Sequence, residues 1–186
     1  MNVSSPTKYE IILDPEKYIV SKTDTKGVIE YGNDYFIEIS GYSESEILGQ
    51  PHSIIRHPSM PKIIFKMMWE RINQGKNIMA LVKNMAKDGR FYWVVTDFKS
   101  KKDTTNKIIS HIAFRKAAPR EAINAIEPIY KNLLEIEKTD GIEASEKYFQ
   151  SYLKDKDISY DDFINKLIEG SNAIKVFFQT IKKIFS

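Results

Sequence analysis

The sequence predicts an α+β fold, in which a five-stranded antiparallel sheet with helices on one face is followed by a C-terminal helical extension. Two observations lead to this fold class. Short β-prone runs lie on both sides of a helical middle, and helical periodicity replaces them after Ala118. We expect an N-terminal cap or tail at residues 1–17, a sheet domain at residues 18–118 and the extension at residues 119–186.

The first two strands are predicted at residues 18–21 and 28–31, on either side of the sequence D-T-K-G. Gly27 in this sequence takes a positive φ without steric cost, so the two strands should form a hairpin. The first 17 residues are polar and contain two prolines, which is typical of a cap or tail.

Short helices are predicted next. Asn33 can cap a helix that ends at Gly41, and Ser43 and Glu46 stand in capping-box spacing at the start of another helix. Three prolines in the following segment exclude one long helix there, because each proline removes an amide donor. Apolar residues at helical spacing then predict a longer helix over residues 62–74.

Three more strands complete the sheet, at residues 78–85, 91–100 and 107–116. The sequence K-D-G-R at residues 87–90 supplies an Asp-Gly turn between the first two of these strands. A polar loop at residues 101–106 leads into the last strand.

The extension is predicted to be helical throughout. Pro119 suits the first turn of a helix, and Pro128 should kink this helix or divide it in two. Further helices are expected at residues 143–153 and 160–185, the last with Phe and Ile along one side and several lysines. This basic amphipathic pattern suits binding to a partner or a membrane surface. Packing back onto the sheet domain or forming a homodimer is an equal alternative.

Composition excludes several classes of function. The net charge is only +3 and the basic residues are scattered, which argues against nucleic-acid binding. The absence of cysteine removes disulfides, thiolate nucleophiles, iron–sulfur clusters and most zinc sites. No catalytic constellation is visible, so we expect a protein that is not an enzyme. Without a signal peptide or an apolar run long enough to cross a membrane, the chain is expected to be soluble and cytoplasmic.

Four segments carry a resemblance to a known family. G-Y-S-E-S-E-I-L-G-Q, residues 41–50, resembles the signature common to PAS sensor domains. Q-P-H-S-I-I-R-H-P-S-M-P (residues 50–61) and K-N-M-A-K-D-G-R-F-Y-W-V (residues 83–94) resemble the PAS domain of Aer-type aerotaxis receptors. I-E-P-I-Y-K-N-L, residues 126–133, resembles the segment that follows that domain.

This resemblance implies a PAS fold and a non-covalently bound FAD whose redox state is sensed. Carried over by position, the residues linked to FAD binding are Asn33, Arg56, His57, Phe65, Trp69 and Asn84. Two positions depart from the family pattern: Ser59 replaces an acidic residue after R-H-P, and Ile78 replaces a frequent tryptophan. His52 and His111 are assigned to structural roles.

The residue types suit such a site. Phe65 and Trp69 lie four apart on a helix and can wall a slot for a planar ring. The asparagine amides match the donor and acceptor edge of the ring, and the planar fork of Arg56 suits a phosphate. Each residue also has a structural interpretation. Phe65 and Trp69 can be core aromatics, and Asn33 can be a helix cap. Asn84 can be a solvent-facing strand residue, Arg56 a surface ion-pair residue and His57 a structural histidine.

Three functions stay open on the sequence: an FAD redox sensor for energy taxis, a haem-binding gas sensor with His57 as ligand, and a cofactor-free interaction module. The cysteinyl adduct of related blue-light sensors is excluded because the chain has no cysteine. No kinase motif, long signalling hairpin or membrane span is visible. The resemblance is therefore nearest to stand-alone CetB-like PAS proteins, which implies a separate HAMP-containing, methyl-accepting membrane transducer as partner.

Overall fold

The computed structural model, which describes residues 4–184, contains one antiparallel sheet of five strands. The strands are β1 (Ile19–Thr23), β2 (Ile29–Gly32), β3 (Ile78–Met85), β4 (Phe91–Lys102) and β5 (Ile108–Ala117). Their order across the sheet is β2-β1-β5-β4-β3, so the first hairpin joins the last strand at the centre. The predicted fold class and the five predicted strands are confirmed.

The helices before β3 are α1 (Asp34–Ser40), α2 (Glu44–Ile47) and α3 (Lys62–Asn73), with a 3-10 turn at His52–Ile55. Asn33 caps α1 as predicted, since its side chain accepts the Phe36 N–H at 3.1 Å. Gly41, with φ of 70°, ends the helix in the left-handed conformation. The capping box at the start of α2 also forms: the Glu46 carboxylate accepts the Ser43 N–H at 2.9 Å.

Alternation along the strands gives the sheet two different faces. One face carries Val82, Thr96 and Arg115 and lies under α3, where it bounds a cavity. The other face carries Trp93, whose ring stacks on Tyr130 of the C-terminal extension with centroids 6.3 Å apart. Both faces are therefore covered, the first by the helices before β3 and the second by helices that follow β5.

The extension forms α4 (Arg120–Thr139), α5 (Ile142–Asp155), α6 (Tyr160–Leu167) and α7 (Asn172–Ile184). Pro128 does not divide α4, which continues through it. Pro128 and Asn124, whose carbonyl loses its helical donor, are both exposed, so water can bond that carbonyl. The apolar residues on the opposite side of α4 are buried and hold the helix together across the proline.

The prediction of a single helix over residues 160–185 is wrong. The chain turns at residues 168–171, and α7 begins after this turn. The Ser171 carbonyl accepts the Lys175 N–H at 3.2 Å at the start of α7. Gly170 in this turn has little helical preference, so the break is intelligible. Phe185, expected at the end of the apolar side, lies outside the described residues.

Helix α7 packs back onto the sheet. Ile174 and Phe178 are buried, and Phe177 meets the ring of Tyr18 with centroids 5.5 Å apart. The Lys116 ammonium of β5 lies 5.2 Å from the centroid of the same Phe177 ring. No helix in residues 4–184 is long and apolar enough to cross a membrane.

The N-terminal segment is a cap attached to the sheet. Thr7 donates its backbone N–H to the Gly89 carbonyl at 2.8 Å, and Ile11 donates to the Phe91 carbonyl at 2.7 Å. Leu13 is buried in the core. These bonds hold the segment along the turn between β3 and β4.

Three carboxylates of the extension contact α3. Glu137 of α4 accepts the first two backbone N–H groups of α3, from Lys62 and Ile63, each at 2.8 Å. Glu146 of α5 pairs with Lys66, and Asp161 of α6 pairs with Arg71. Helix α3 is thus anchored by the extension at its start, in its second turn and near its end.

Candidate functional site

A cavity of about 260 Å³ lies between α3 and the inner face of the sheet. Its walls come from β1, β3, β4, β5, the turn before β2, the 3-10 turn and α3. Ligand pockets commonly span about 300–1,000 Å³, so this cavity is slightly smaller than most of them. It suits a planar ring system, and a larger molecule would extend from it towards solvent.

Helix α3 forms the apolar wall. Phe65, Met68, Trp69 and Ile72 all line the cavity, because residues three and four apart share one side of a helix. The turn between β1 and β2 lies against the Trp69 ring: a Cβ on Gly27 would be 2.8 Å from its Cζ2 atom. The close approach of this turn fixes one edge of the tryptophan.

Three cations line the cavity, Lys26, Arg56 and Arg115, and no Asp or Glu is among the described residues that line it. Arg115 is only 2% exposed and has no carboxylate within ion-pair distance in residues 4–184. Its guanidinium donates instead to Ser21 Oγ at 2.9 Å and to His52 Nε2 at 2.8 Å. A buried cation without an anion is costly, so this wall suits an anionic or strongly accepting ligand group.

His52 accepts from Arg115 as a neutral imidazole. Burial, and next the charge of Arg115, lower the pKa of His52 to about 3. Burial also lowers the pKa of Arg115 to about 10, a value at which the guanidinium keeps its charge at neutral pH. The pair therefore leaves one positive charge at the floor of the cavity.

Arg56 makes a cation–π contact with Phe65, with its guanidinium carbon 3.7 Å from the ring centroid. Its backbone pairs with that of Asn84 in an isolated bridge, so the segment before α3 is joined to β3. The Nε of Arg56 is buried and has no hydrogen-bond partner in the described structure.

Four buried polar atoms without a partner belong to residues that line the cavity. They are Arg56 Nε, Asn84 Nδ2, Thr96 Oγ1 and His111 Nε2. Buried polar groups in folded proteins are almost always paired with protein, water or a ligand, so these four atoms are available to partners inside the cavity. An apolar slot, cations and unpaired polar atoms are together what a flavin requires, and the residues present fit such a group.

The structure brings together four of the six residues linked to FAD binding. Arg56, Phe65, Trp69 and Asn84 line the cavity. Asn33 and His57 do not line it. Their direct contact with a ligand in this cavity stays a prediction that the lining does not support.

Asn33 and His57 have structural partners. Asn33 Oδ1 accepts the Val20 N–H at 2.9 Å, and its Nδ2 donates to the Tyr18 carbonyl at 3.0 Å, so the residue ties the hairpin to α1. His57 Nδ1 bonds the Ser59 hydroxyl at 2.7 Å, and its ring meets the edge of Phe91. Burial lowers the pKa of His57 to about 4. Ser59, the departure from the family pattern, is thus a partner of His57.

Sequence reasoning missed several polar residues of the cavity. Ser21, Thr96 and Arg115 were not singled out, and His52 and His111 were expected to be purely structural, yet all five line it. Their positions were the only signal in the sequence, since each is a polar residue at a position where the side chain is expected to face the core. Polar residues at such positions indicate a binding site. In the part of the chain that the structure describes, no group of three or more His, Cys, Asp or Glu side chains is placed to hold a metal ion.

Comparison with known proteins identifies relatives of this chain. Residues 29–115 match the family described as the PAS fold. The aerotaxis receptor of Escherichia coli K12 is 37% identical over 127 residues, which cover 68% of this chain and 25% of the receptor. The nitrogen fixation regulatory protein of Klebsiella pneumoniae is 23% identical over 111 residues, covering 60% of this chain and 22% of that protein. The matched segments thus span about a quarter or less of these relatives.

Solved structures show the same fold. A light-oxygen-voltage domain studied with a flavin analogue superimposes with a TM-score of 0.53 at 17% identity, covering 62% of this chain and 86% of that one. The LOV domain of the blue-light photoreceptor Aureochrome1 gives a TM-score of 0.51 at 21% identity, covering 64% of this chain and 90% of that one.

Proposed function

Because residues 29–115 of this chain form a PAS domain, we propose that the chain is a sensor that holds FAD non-covalently in its inner cavity and responds to the redox state of the flavin. One observation carries the proposal. The cavity combines an aromatic wall with three cations and four unpaired buried polar atoms. The similarity to the aerotaxis receptor supports a flavin as the ligand class.

The proposed roles follow from position. Trp69 and Phe65 contact the faces or edge of the ring from α3, and the Asn84 amide bonds its carbonyl and N–H edge from β3. Arg56 and Arg115 offset negative charge, either on the phosphates or on the reduced ring. When bound, the flavin supplies reversible electron transfer.

Asn84 is the residue proposed to respond to the redox state. Its amide can present either an oxygen or an NH₂ group, so it suits a ring position that changes from acceptor to donor on reduction. Because its backbone bridges that of Arg56, a change at Asn84 would act on the segment that leads into α3. The side chain would thus pass a local hydrogen-bond change to the backbone.

The wider role is proposed from the relatives. We place the chain in the cytoplasm as a sensor for energy taxis, which relays the flavin state to a separate membrane-bound chemotaxis transducer through its C-terminal extension. The similarity to an aerotaxis receptor supports this role. Co-purification with candidate transducers in the oxidised and reduced states tests the relay, and equal recovery of a transducer in both states would contradict it.

Absorbance of the purified protein tests the cofactor. We expect flavin bands, either as isolated or after reconstitution with FAD. A colourless protein that takes up no FAD would refute the proposal, and a Soret band would show haem in its place.

Substitutions then test the site. Trp69→Ala and Arg56→Ala should each weaken FAD binding roughly tenfold, equivalent to about 1.4 kcal/mol. Arg90→Ala is the control for the arginine, because Arg90 is half-exposed, pairs with Asp88 and does not line the cavity. Full retention of FAD in both cavity variants would overturn the site assignment.

A further inference from the structure

His111 lines the cavity and is 3% exposed, although the sequence suggested only a structural role for it. It lies on β5, paired with Thr23 of β1 on one side and Ser100 of β4 on the other. Its ring meets Trp69 edge-on, with centroids 5.7 Å apart and planes inclined by 84°. The histidine therefore stands at the Trp69 end of the cavity.

The tautomer of His111 follows from its hydrogen bonds. The Ser100 hydroxyl lies 2.6 Å from the Ile72 carbonyl, which can only accept, so Ser100 must donate its proton there. Ser100 Oγ also lies 3.0 Å from His111 Nδ1 and has no second proton to give. Nδ1 must then carry the proton and donate to Ser100.

This tautomer leaves Nε2 as an unprotonated acceptor. Nε2 is buried and has no partner in the described structure. Burial lowers the pKa of His111, which agrees with a neutral ring. The other unpaired atoms of the cavity differ: Arg56 Nε only donates, while the Asn84 amide and the Thr96 hydroxyl belong to groups that can both donate and accept.

We propose that His111 Nε2 accepts a hydrogen bond from an N–H or O–H group of the bound ligand and thereby fixes the ligand at the Trp69 end of the cavity. The inference rests on the proposed function for the identity of the ligand as FAD. The imide N–H of the flavin ring and the hydroxyls of its side chain are donors of the required kind. His111 is then a binding residue held in one tautomer by Ser100 and the end of α3.

FAD affinity of matched variants tests this role. His111→Phe keeps the ring shape without an acceptor and should lower FAD affinity about 5- to 150-fold, because a buried ligand donor loses its partner. His111→Gln carries an oxygen near the Nε2 position and should restore most of the loss. FAD bound by His111→Phe as tightly as by the unaltered chain would overturn the inference.

Thermal unfolding separates ligand binding from a structural role. Without FAD, His111→Phe should lower the melting temperature only slightly, because loss of the Nδ1–H bond to Ser100 is offset by removal of an unsatisfied buried acceptor. With FAD, the stabilisation should shrink in step with the lost affinity. An equal loss of melting temperature with and without FAD would show that His111 is structural only.

Nitrogen NMR of labelled histidine reads the tautomer directly. Without ligand, His111 should show a protonated Nδ1 and a bare Nε2, and addition of FAD should shift the Nε2 resonance. Ser100→Ala frees the ring to protonate at Nε2 and should weaken FAD binding, although the acceptor residue is unchanged. An unmoved Nε2 resonance in FAD-loaded protein refutes the contact, while failure of the unaltered chain to bind FAD refutes the proposed function on which it rests.

Discussion

Substitution of Gly27 tests whether the β1–β2 turn holds Trp69 in place. Gly27 has φ of +84°, and an added Cβ would lie 2.8 Å from Trp69 Cζ2, where ordinary contacts begin near 3.4 Å. Gly27→Ala therefore introduces two separate costs. A positive φ costs a residue with a Cβ about 1–2 kcal/mol, and the tryptophan must also shift.

Gly49→Ala is the matched control. Gly49 has φ of +76°, yet its added Cβ would meet no atom of the described residues within 4 Å. Both variants should lose about 1–2 kcal/mol of unfolding free energy through the backbone, or roughly 2–8 °C in melting temperature for a chain of this size. Only Gly27→Ala should also disturb the cavity.

The assay is FAD affinity measured beside thermal unfolding. Gly27→Ala should bind FAD roughly tenfold more weakly, equivalent to about 1.4 kcal/mol, because Trp69 leaves its position in the wall. Gly49→Ala should retain the affinity of the unaltered chain. If the two variants lose equal stability and both bind FAD normally, the turn does not position Trp69 and the reasoning is refuted.

Three further predictions concern stability. Glu137→Gln should lower the unfolding free energy by about 1 kcal/mol, because the carboxylate that caps α3 loses its charge. Glu135→Gln is the control, since Glu135 is exposed on the same helix and its substitution should change the unfolding free energy little. Equal effects of the two substitutions in chemical denaturation would contradict the cap. The hydrogen bond from Lys87, and next that from the Ser43 backbone, lower the pKa of Glu46 to about 2 in the folded protein. The contribution of Glu46 to folding stability is therefore complete above the unfolded pKa of about 4.3 and is lost as the pH falls towards 2. The stability difference between the unaltered chain and Glu46→Gln, followed in urea, should therefore shrink over that interval, and a constant difference would refute the shift. Tyr130→Phe should cost about 1 kcal/mol, because its hydroxyl donates to a β3 carbonyl at 2.9 Å, and an unchanged denaturation midpoint would exclude that bond.

Local sequence signals predicted those parts of the fold that depend on a few neighbouring residues. The Asn33 cap, the helix end at Gly41 and the Ser43–Glu46 box all form, because each satisfies backbone groups within one turn. The break at Gly170 also had a local signal, but the apolar spacing on both sides concealed it. Pro128 shows the converse, since burial of one helix side outweighs a local breaker.

The candidate site could be predicted only in part. Phe65 and Trp69 were recognisable because they share one helix side, and Arg56 and Asn84 because motifs carry them. His111 could not be recognised as a binding residue. Its Nε2 is a free acceptor only because Nδ1 bonds Ser100 on the neighbouring strand, and Ser100 in turn bonds the end of α3. Such relations join residues far apart in the chain, and no local pattern encodes them.

Helix α3 contacts both the cavity and the C-terminal extension. One side supplies the aromatic wall of the cavity, while its amide end, Lys66 and Arg71 are bonded to carboxylates on α4, α5 and α6. A filled cavity that rotates or translates α3 must stretch these charged contacts or carry the attached helices along. Ligand binding in the cavity would then change the hydrogen-exchange rates of α4, α5 and α6, although these helices do not line the cavity.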